Sequence, residues 1–170
     1  MALVRELVPD DLLKLAAVRD GGAAWHGDWD HWPRYLAEHQ AGERVVFVIE
    51  TEDRGLVAYV SLIWRPHYAP FAEAGVPEIS DMVVVEPLRA QGHGRAMIAA
   101  CEARARAEGC KEIGIGFALY ADYGRAQRLY VRLGFVPDGR GVAYDGAPTT
   151  PGEHYRLDDD LVLFLVKPLA

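Results

Sequence analysis

The chain has 170 residues, 51% of them hydrophobic and 25% charged, with a formal net charge of −7 and a pI near 5.3. This length and composition suit one globular domain, expected over residues 1–170, and no apolar run approaches the length needed to span a bilayer. The acidic balance speaks against nucleic acid as a partner, since that binding rests on neutralising phosphates with Lys and Arg, and it suits a cationic small molecule better.

The N-terminal stretch MALVRELVPDDLLKL interrupts every short apolar run with charge and lacks the basic start and apolar middle of a signal peptide, so a cytoplasmic protein is expected. Residues 3–7 read as a strand, and PDDLLKLAAVRDGG as a first helix behind an aspartate cap, running to Val18 and stopping at Gly21. In WHGDWDHWPRYLAEHQAG, Asp30 is placed as a cap, Pro33 near the first turn and Gly42 as a stop, which predicts a second helix. RVVFVIETEDRGLVAYVSLIW is two β-rich runs around a turn, the composition of a hairpin. RPHYAPFAEAGVP reads as a loop leading to the strand EISDMVVV, a glycine turn, and a helix that ends at Gly109. KEIGIGFAL is a further strand, DYGRAQRLYVRLG a helix and FVPDGRGVAY an extended segment with a turn. DGRGVAYDGAPTTPGE reads as a long loop, and the last strand, DLVLFLVKPL, is apolar enough to fit either burial or a homodimer contact. The order β-α-α-β-β-β-α-β-α-β-β predicts a mixed α/β domain with a central sheet. Cys101 and Cys110 are too few for a disulfide framework, and His26, His31 and His67 are too scattered to suggest a metal.

A strand that enters a helix through Gly92 and Gly94 exposes backbone N–H groups at the positive end of the helix dipole, a ready site for a phosphate. A dinucleotide fingerprint needs a third glycine where Met97 stands, and a P-loop needs Gly-Lys-Ser/Thr, so neither motif claims the turn. The wider pattern Arg89-Ala90-Gln91-Gly92-His93-Gly94 matches Q/R-x-x-G-x-G/A, the acyl-CoA signature of the GCN5-related N-acetyltransferases (GNAT), and the chain resembles that family. EISDMVVV before the turn and AQRLYVRLGFVP after the next strand are similar to the family's other segments in the same order, together over residues 78–137. The resemblance implies a GNAT-type mixed central β-sheet flanked by helices, with acetyl-CoA as co-substrate. Its pyrophosphate would lie on the backbone amides of Gln91, Gly92, His93, Gly94, Arg95 and Ala96, with Arg89 and Arg95 adding positive charge. Val83, Val84 and Val85 would run beside the thioester, a backbone N–H near Val84 or Val85 serving as oxyanion donor.

Acetyl transfer to an amine needs an unprotonated amine, a stabilised oxyanion and protonation of the departing thiolate. Tyr130 stands where the family carries a tyrosine thought to protonate the coenzyme A sulfur, and helical spacing puts it at the edge of a stripe formed by Ala126, Leu129 and Leu133. Reference pKa values of about 10 for tyrosine and 8.5 for a thiol make full transfer uphill by roughly 2 kcal/mol, so hydrogen bonding or delivery through water is as plausible as donation. Glu78, Asp81 and Glu86 are the candidate proton acceptors, Glu78 and Asp81 foremost, with a water chain as the alternative. Strict alternation puts Glu78, Ser80, Met82 and Val84 on one strand face and Ile79, Asp81, Val83 and Val85 on the other, unless the strand bulges. Tyr123 replaces an asparagine common in the family, so that residue's cofactor contact is not carried over, and Tyr123 either packs or lines the cleft.

In the family the acceptor site is formed by the first helices and nearby loops. Here Trp25, Asp28, Trp29, Asp30 and Trp32 suggest either an aromatic and acidic wall for a cation or a core plug with helix caps. The resulting expectation is acetyl-CoA-dependent N-acetylation of a primary amine on a small cationic molecule, by direct attack in a ternary complex. The alternatives are acetylation of a protein N-terminus or lysine, and a non-catalytic acyl-CoA sensor.

Overall fold

The computed structural model of the protein describes residues 3–17, 19–20, 23–24 and 31–170. In chain order, β1 (Leu3–Glu6) leads into α1 (Asp11–Ala17), the short strands β2 (Arg19–Asp20) and β3 (Ala23–Ala24), α2 (His31–Gln40), β4 (Arg44–Thr51) and β5 (Gly55–Ile63). Then come α3 (Ala69–Ala74), β6 (Glu78–Val84), α4 (His93–Ala107), β7 (Glu112–Ala118), α5 (Gly124–Arg132), β8 (Val136–Tyr144), β9 (Ala147–Pro148) and β10 (Leu161–Pro168). Eight of the strands form one sheet in the order β1-β4-β5-β6-β7-β10-β8-β9. The β6–β7 pair is parallel, and the ladders β1–β4, β4–β5, β7–β10, β10–β8 and β8–β9 are antiparallel. The expected mixed α/β class and the order of its main elements hold. The residues group into two units, Met1–Ile63 with Ser80–Arg104 and Trp64–Ile79 with Ala105–Ala170.

In the first unit, β4 and β5 read as almost unbroken hydrophobic runs because both faces are covered, and Val46, Val48, Ile49, Ala58, Val60 and Leu62 are wholly buried. Beside them Asp11 is buried to 0% side-chain exposure. Its carboxylate accepts two bonds from the Arg5 guanidinium, at 2.7 and 2.8 Å, and one from the Val8 amide at 2.9 Å, as a capping-box acid does. Arg5 also donates to Glu50 at 2.6 Å, so one guanidinium ties β1, α1 and β4 together. Burial alone would raise the Asp11 pKa, but the Arg5 and Val8 hydrogen bonds outweigh it and hold the group below the usual carboxylate range.

The second unit explains the alternation of Ile and Gly in β7. Ile113 and Ile115 are buried on one face. On the other, a Cβ added at Gly114 would stand 2.2 Å from the Phe71 ring, and one at Gly116 would stand 2.8 Å from Val162. Phe71 and Tyr68 cover that face, Tyr68 stacking on Phe164 at 3.7 Å between centroids and Phe71 meeting Phe164 edge-on at 5.4 Å.

Two expectations are corrected here. RPHYAPFAEAGVP is not all loop: Pro70 opens α3, and left-handed Gly75 (φ 66) closes it, with the amides of Gly75 and Val76 capping Ala72 and Phe71. Nor is DGRGVAYDGAPTTPGE one long loop. β8 runs through its first half, paired with β10, and Gly139 and Gly141 (φ 83 and 77) lie where that ladder shifts register. β10 lies between β7 and β8, so its apolar sequence has an explanation within the sheet.

Asp11→Asn is expected to lower unfolding stability by about 2 kcal/mol, the lower side of a broken buried pair because Arg5 keeps Glu50. Since the folded pKa of Asp11 is depressed, its contribution is present above the unfolded carboxylate pKa and lost as pH falls through the folded value. The urea midpoint of the variant should therefore fall less steeply on acidification than that of the parent. Gly114→Ala should cost about 2 kcal/mol through overpacking against Phe71, read as a lower urea midpoint with unchanged slope.

Candidate active site

β6 leaves the sheet at Val85, which is buried and donates its N–H to the Val57 carbonyl at 2.9 Å. A single 3-10 turn follows at Glu86–Leu88, then extended Arg89, then left-handed Ala90 (φ 64) and Gly92 (φ 93), after which α4 begins. Two motif side chains hold this loop. Arg89 donates from Nε to the Val84 carbonyl at 3.0 Å, and Gln91 donates from Nε2 to the Pro87 carbonyl at 3.2 Å.

The first α-helical bond of α4 runs from the Ala96 amide to the Gly92 carbonyl at 3.0 Å. The amides of His93, Gly94 and Arg95 come before it, where a helix leaves its donors without intrahelical partners and the dipole is positive. Two sequence expectations change accordingly. Ala96 is removed from the amide cradle because its N–H closes the first turn, and Val85 is removed as oxyanion donor because its N–H is engaged by Val57, which leaves Val84, half-buried like Val83. Gly92 is required by its backbone rather than by room, since no atom of the protein lies within 4 Å of where its Cβ would stand.

The strand also departs from strict alternation. Asp81 is left-handed at φ 52 inside β6, so Asp81 turns to solvent while Met82, Val83 and Val84 are all half-buried. Such a residue is the mark of a bulge. Asp81 Oδ2 accepts a 2.7 Å hydrogen bond from the Tyr35 hydroxyl and lies 3.6 Å from Arg44 Nη1. Arg44 is buried, donates to Glu38 at 2.6 Å and to Ser61 at 3.0 Å, and stacks 3.9 Å over the Tyr35 ring. Burial, then the charge and hydrogen bond of Asp81, push the Tyr35 hydroxyl up to about 12. Sequence reasoning missed Tyr35 and Arg44. A lone cation at the head of an apolar strand reads as a solvated end, and Tyr35 sits in a helix whose aromatics were weighed as core or wall.

In the second unit, Glu78 is half-buried and paired in register with Gly114. Tyr130 is corrected from the edge of its stripe to the buried centre of α5, at 5% exposure. The helix stops at Arg132, left-handed Gly134 turns the chain, and the Phe135 amide folds back onto the Tyr130 carbonyl at 3.1 Å. Phe117 and Phe135 then flank the Tyr130 ring, each 6.3 Å away. Burial pushes its hydroxyl up to about 12, and among the described residues nothing hydrogen-bonds it. Tyr123 is half-buried and shares Asp159 Oδ1 with Tyr120, donating at 3.0 Å.

Trp25, His26, Asp28, Trp29 and Asp30 lie outside the described residues, while Trp32 is core, edge-on to Tyr59 at 4.7 Å. Among the described residues no three His, Cys, Asp or Glu side chains gather as a metal-ligand set, and no helix is long and apolar enough to cross a membrane. Cys101 is buried, which pushes its thiol up, and Cys110 is half-buried.

A mixed sheet whose parallel pair is bridged by a glycine turn and a helix defines an acyl-CoA-dependent transferase class. The model of the Acetyltransferase (GNAT) family matches residues 12–135, and the chain belongs to that family. Solved structures share its fold. An N-acetyltransferase from Staphylococcus aureus Mu50 is 16% identical with a TM-score of 0.71, covering 100% of this chain and 99% of its own. The spermidine/spermine N-acetyltransferase of Vibrio cholerae is 16% identical with a TM-score of 0.66, covering 99% and 92%. The ribosomal-protein-S18-alanine N-acetyltransferase of Escherichia coli is 17% identical with a TM-score of 0.65, covering 100% and 95%. A comparison with curated proteins found no match.

Gly92→Val forces a β-branched residue into a left-handed conformation, a strain of about 2 kcal/mol. It should weaken coenzyme A binding at least about tenfold, read by titration calorimetry, with a smaller loss for Gly92→Asn, which tolerates that conformation.

Proposed function

We propose that the protein acetylates a primary amine on a small cationic molecule, by direct attack with acetyl-CoA and amine bound together. The observation that carries this reading is on β6: one strand presents an exposed carboxylate, Asp81, and runs directly into a helix N-terminus with left-handed glycine and unpartnered amides. Acetyl-CoA supplies an activated acetyl group. The residues present fit it: the amides of Gln91, Gly92, His93, Gly94 and Arg95 face the pyrophosphate, Arg89 and Arg95 add charge, and Val83 and Val84 run beside the thioester, Val84 giving the oxyanion donor.

Tyr130 acts at the sulfur as a hydrogen-bond donor. With its hydroxyl near 12 and a thiol near 8.5, full proton transfer is uphill by about 5 kcal/mol, so the proton itself comes from water. Asp81 and Glu78 are the groups that take a proton from the attacking ammonium, directly or through water. The net charge of −7 supports a cationic acceptor.

The test is thiol release from acetyl-CoA with a panel of amines. Spermidine represents the class of the Vibrio cholerae neighbour, an alanine-led peptide that of the Escherichia coli neighbour, and a neutral and an anionic amine serve as controls. Release with the cationic amine, lowered about tenfold or more in kcat by Tyr130→Phe at unchanged coenzyme A affinity, is the expected result. Release only with neutral or anionic amines overturns the acceptor class. Coenzyme A binding without release for any amine favours a sensor.

A further inference from the structure

Asp81 and Asp11 are both aspartates held by an arginine, and the way each is held differs. Asp11 has no exposed surface, and both of its oxygens are engaged, by the two Arg5 nitrogens and by the Val8 amide. That is a carboxylate closed into structure. Asp81 keeps 36% of its side chain exposed, and both of its partners meet it at one oxygen, Oδ2. Among the described residues nothing hydrogen-bonds Oδ1. Its left-handed backbone is a conformation that persists only where surroundings hold it.

The holder is itself rigid. Tyr35 and Arg44 are buried, the guanidinium lies on the Tyr35 ring, and Glu38 and Ser61 fix its nitrogens. The Arg44 charge belongs chiefly to Glu38, at 2.6 Å against 3.6 Å for Asp81. Arg34 also reaches Glu38, at 3.1 Å, but is 60% exposed and screened by water. The cluster of Glu38, Arg44 and Asp81 therefore presents a net negative charge at the Asp81 end, through the one oxygen left open.

We propose that Tyr35 and Arg44 are positioning residues that grip Asp81 by Oδ2 and so present Oδ1 to the ammonium group of the acceptor. This deepens the proposed function and rests on it. An ammonium donates to Oδ1, which fixes the nitrogen and can take one of its protons before attack, and a neutral or anionic amine finds no such counter-charge. Tyr35 touches no substrate. Its hydroxyl acts only through Asp81, and that dependence separates a positioning role from ordinary packing.

The experiment is a double-mutant cycle of Tyr35→Phe and Asp81→Asn in the full chain, with Arg44→Lys as a second partner. Acetyl transfer is measured to the amine of the panel above that gives the highest wild-type rate, and coenzyme A affinity and the melting temperature are followed in parallel. Tyr35→Phe keeps the ring and the stacking and removes only the donor. The expected result is about a fivefold loss of amine kcat/KM, mainly through KM, in the parent, and less than about 1.5-fold in the Asp81→Asn background, with coenzyme A affinity unchanged in both. Arg44→Lys should follow the same pattern. Equal losses in the two backgrounds, or an Asp81→Asn variant with the parent's amine KM, overturn this proposal while leaving the acetyltransferase reading in place. A wild type that acetylates no amine overturns both.

Discussion

The hydrogen bond from the Val85 amide to the Val57 carbonyl is the point on which the glycine turn depends. It ends β6 while the strand is still pinned to β5, so the next residues must reverse into α4 within a few steps. That brevity has a conformational consequence. Ala90 and Gly92 both adopt positive φ, and with Asp81 they put two of the three left-handed non-glycine residues found among the described residues on the path from β6 to α4. Such conformations persist where neighbours over-determine them. Here the neighbours are visible: Arg89 on the Val84 carbonyl, Gln91 on the Pro87 carbonyl, Tyr35 and Arg44 on Asp81. The motif side chains thus act first on the loop's own backbone, and the amides that point outward are the consequence.

Burial divides the chain's polar groups into two kinds. Asp11 is enclosed, paired through both oxygens and pulled below the carboxylate range, so its chemistry is exhausted within the fold. Tyr130 is enclosed in the opposite sense, with aromatic neighbours and no partner for its hydroxyl among the described residues, which raises its pKa and keeps its proton in place across the neutral range. A buried hydroxyl without a partner carries a desolvation penalty that a hydrogen bond to a bound group would relieve. The same burial that makes Tyr130 a poor acid makes it a hydrogen-bond donor that does not ionise.

Much of this was legible in the sequence because it is local. Strand and helix periods, the Arg89 to Gly94 pattern and the segment around Tyr130 are all written in residues that are neighbours along the chain, and α4 and β7 follow them. What was not legible depends on packing between distant residues. The Ile/Gly alternation of β7 announces a strand but not the Phe71 ring that forbids a Cβ at Gly114. Pro70 and Gly75 are helix punctuation, passed over because the helix between them is only six residues long. Glycines 139 and 141 looked like loop, when they serve a register shift against β10. Tyr130 was put at an edge by helical arithmetic that continued to Leu133, past the residue where α5 ends.

The Tyr35, Arg44 and Asp81 cluster is the plainest case of information absent from any window. Its members come from α2, β4 and β6 and are 46 positions apart at the extremes. Each taken alone has an ordinary reading: a helix aromatic, a strand-end cation, a strand carboxylate. Only the left-handed turn at Asp81 brings the third toward the first two, and alternation predicts the wrong face for it because a single positive φ shifts every residue that follows. A carboxylate on the strand that feeds the helix N-terminus carries negative charge, whereas the turn favours it from a ligand. The fold keeps the two signs apart by engaging Asp81 on the α2 side and leaving the amides of α4 to whatever anion arrives.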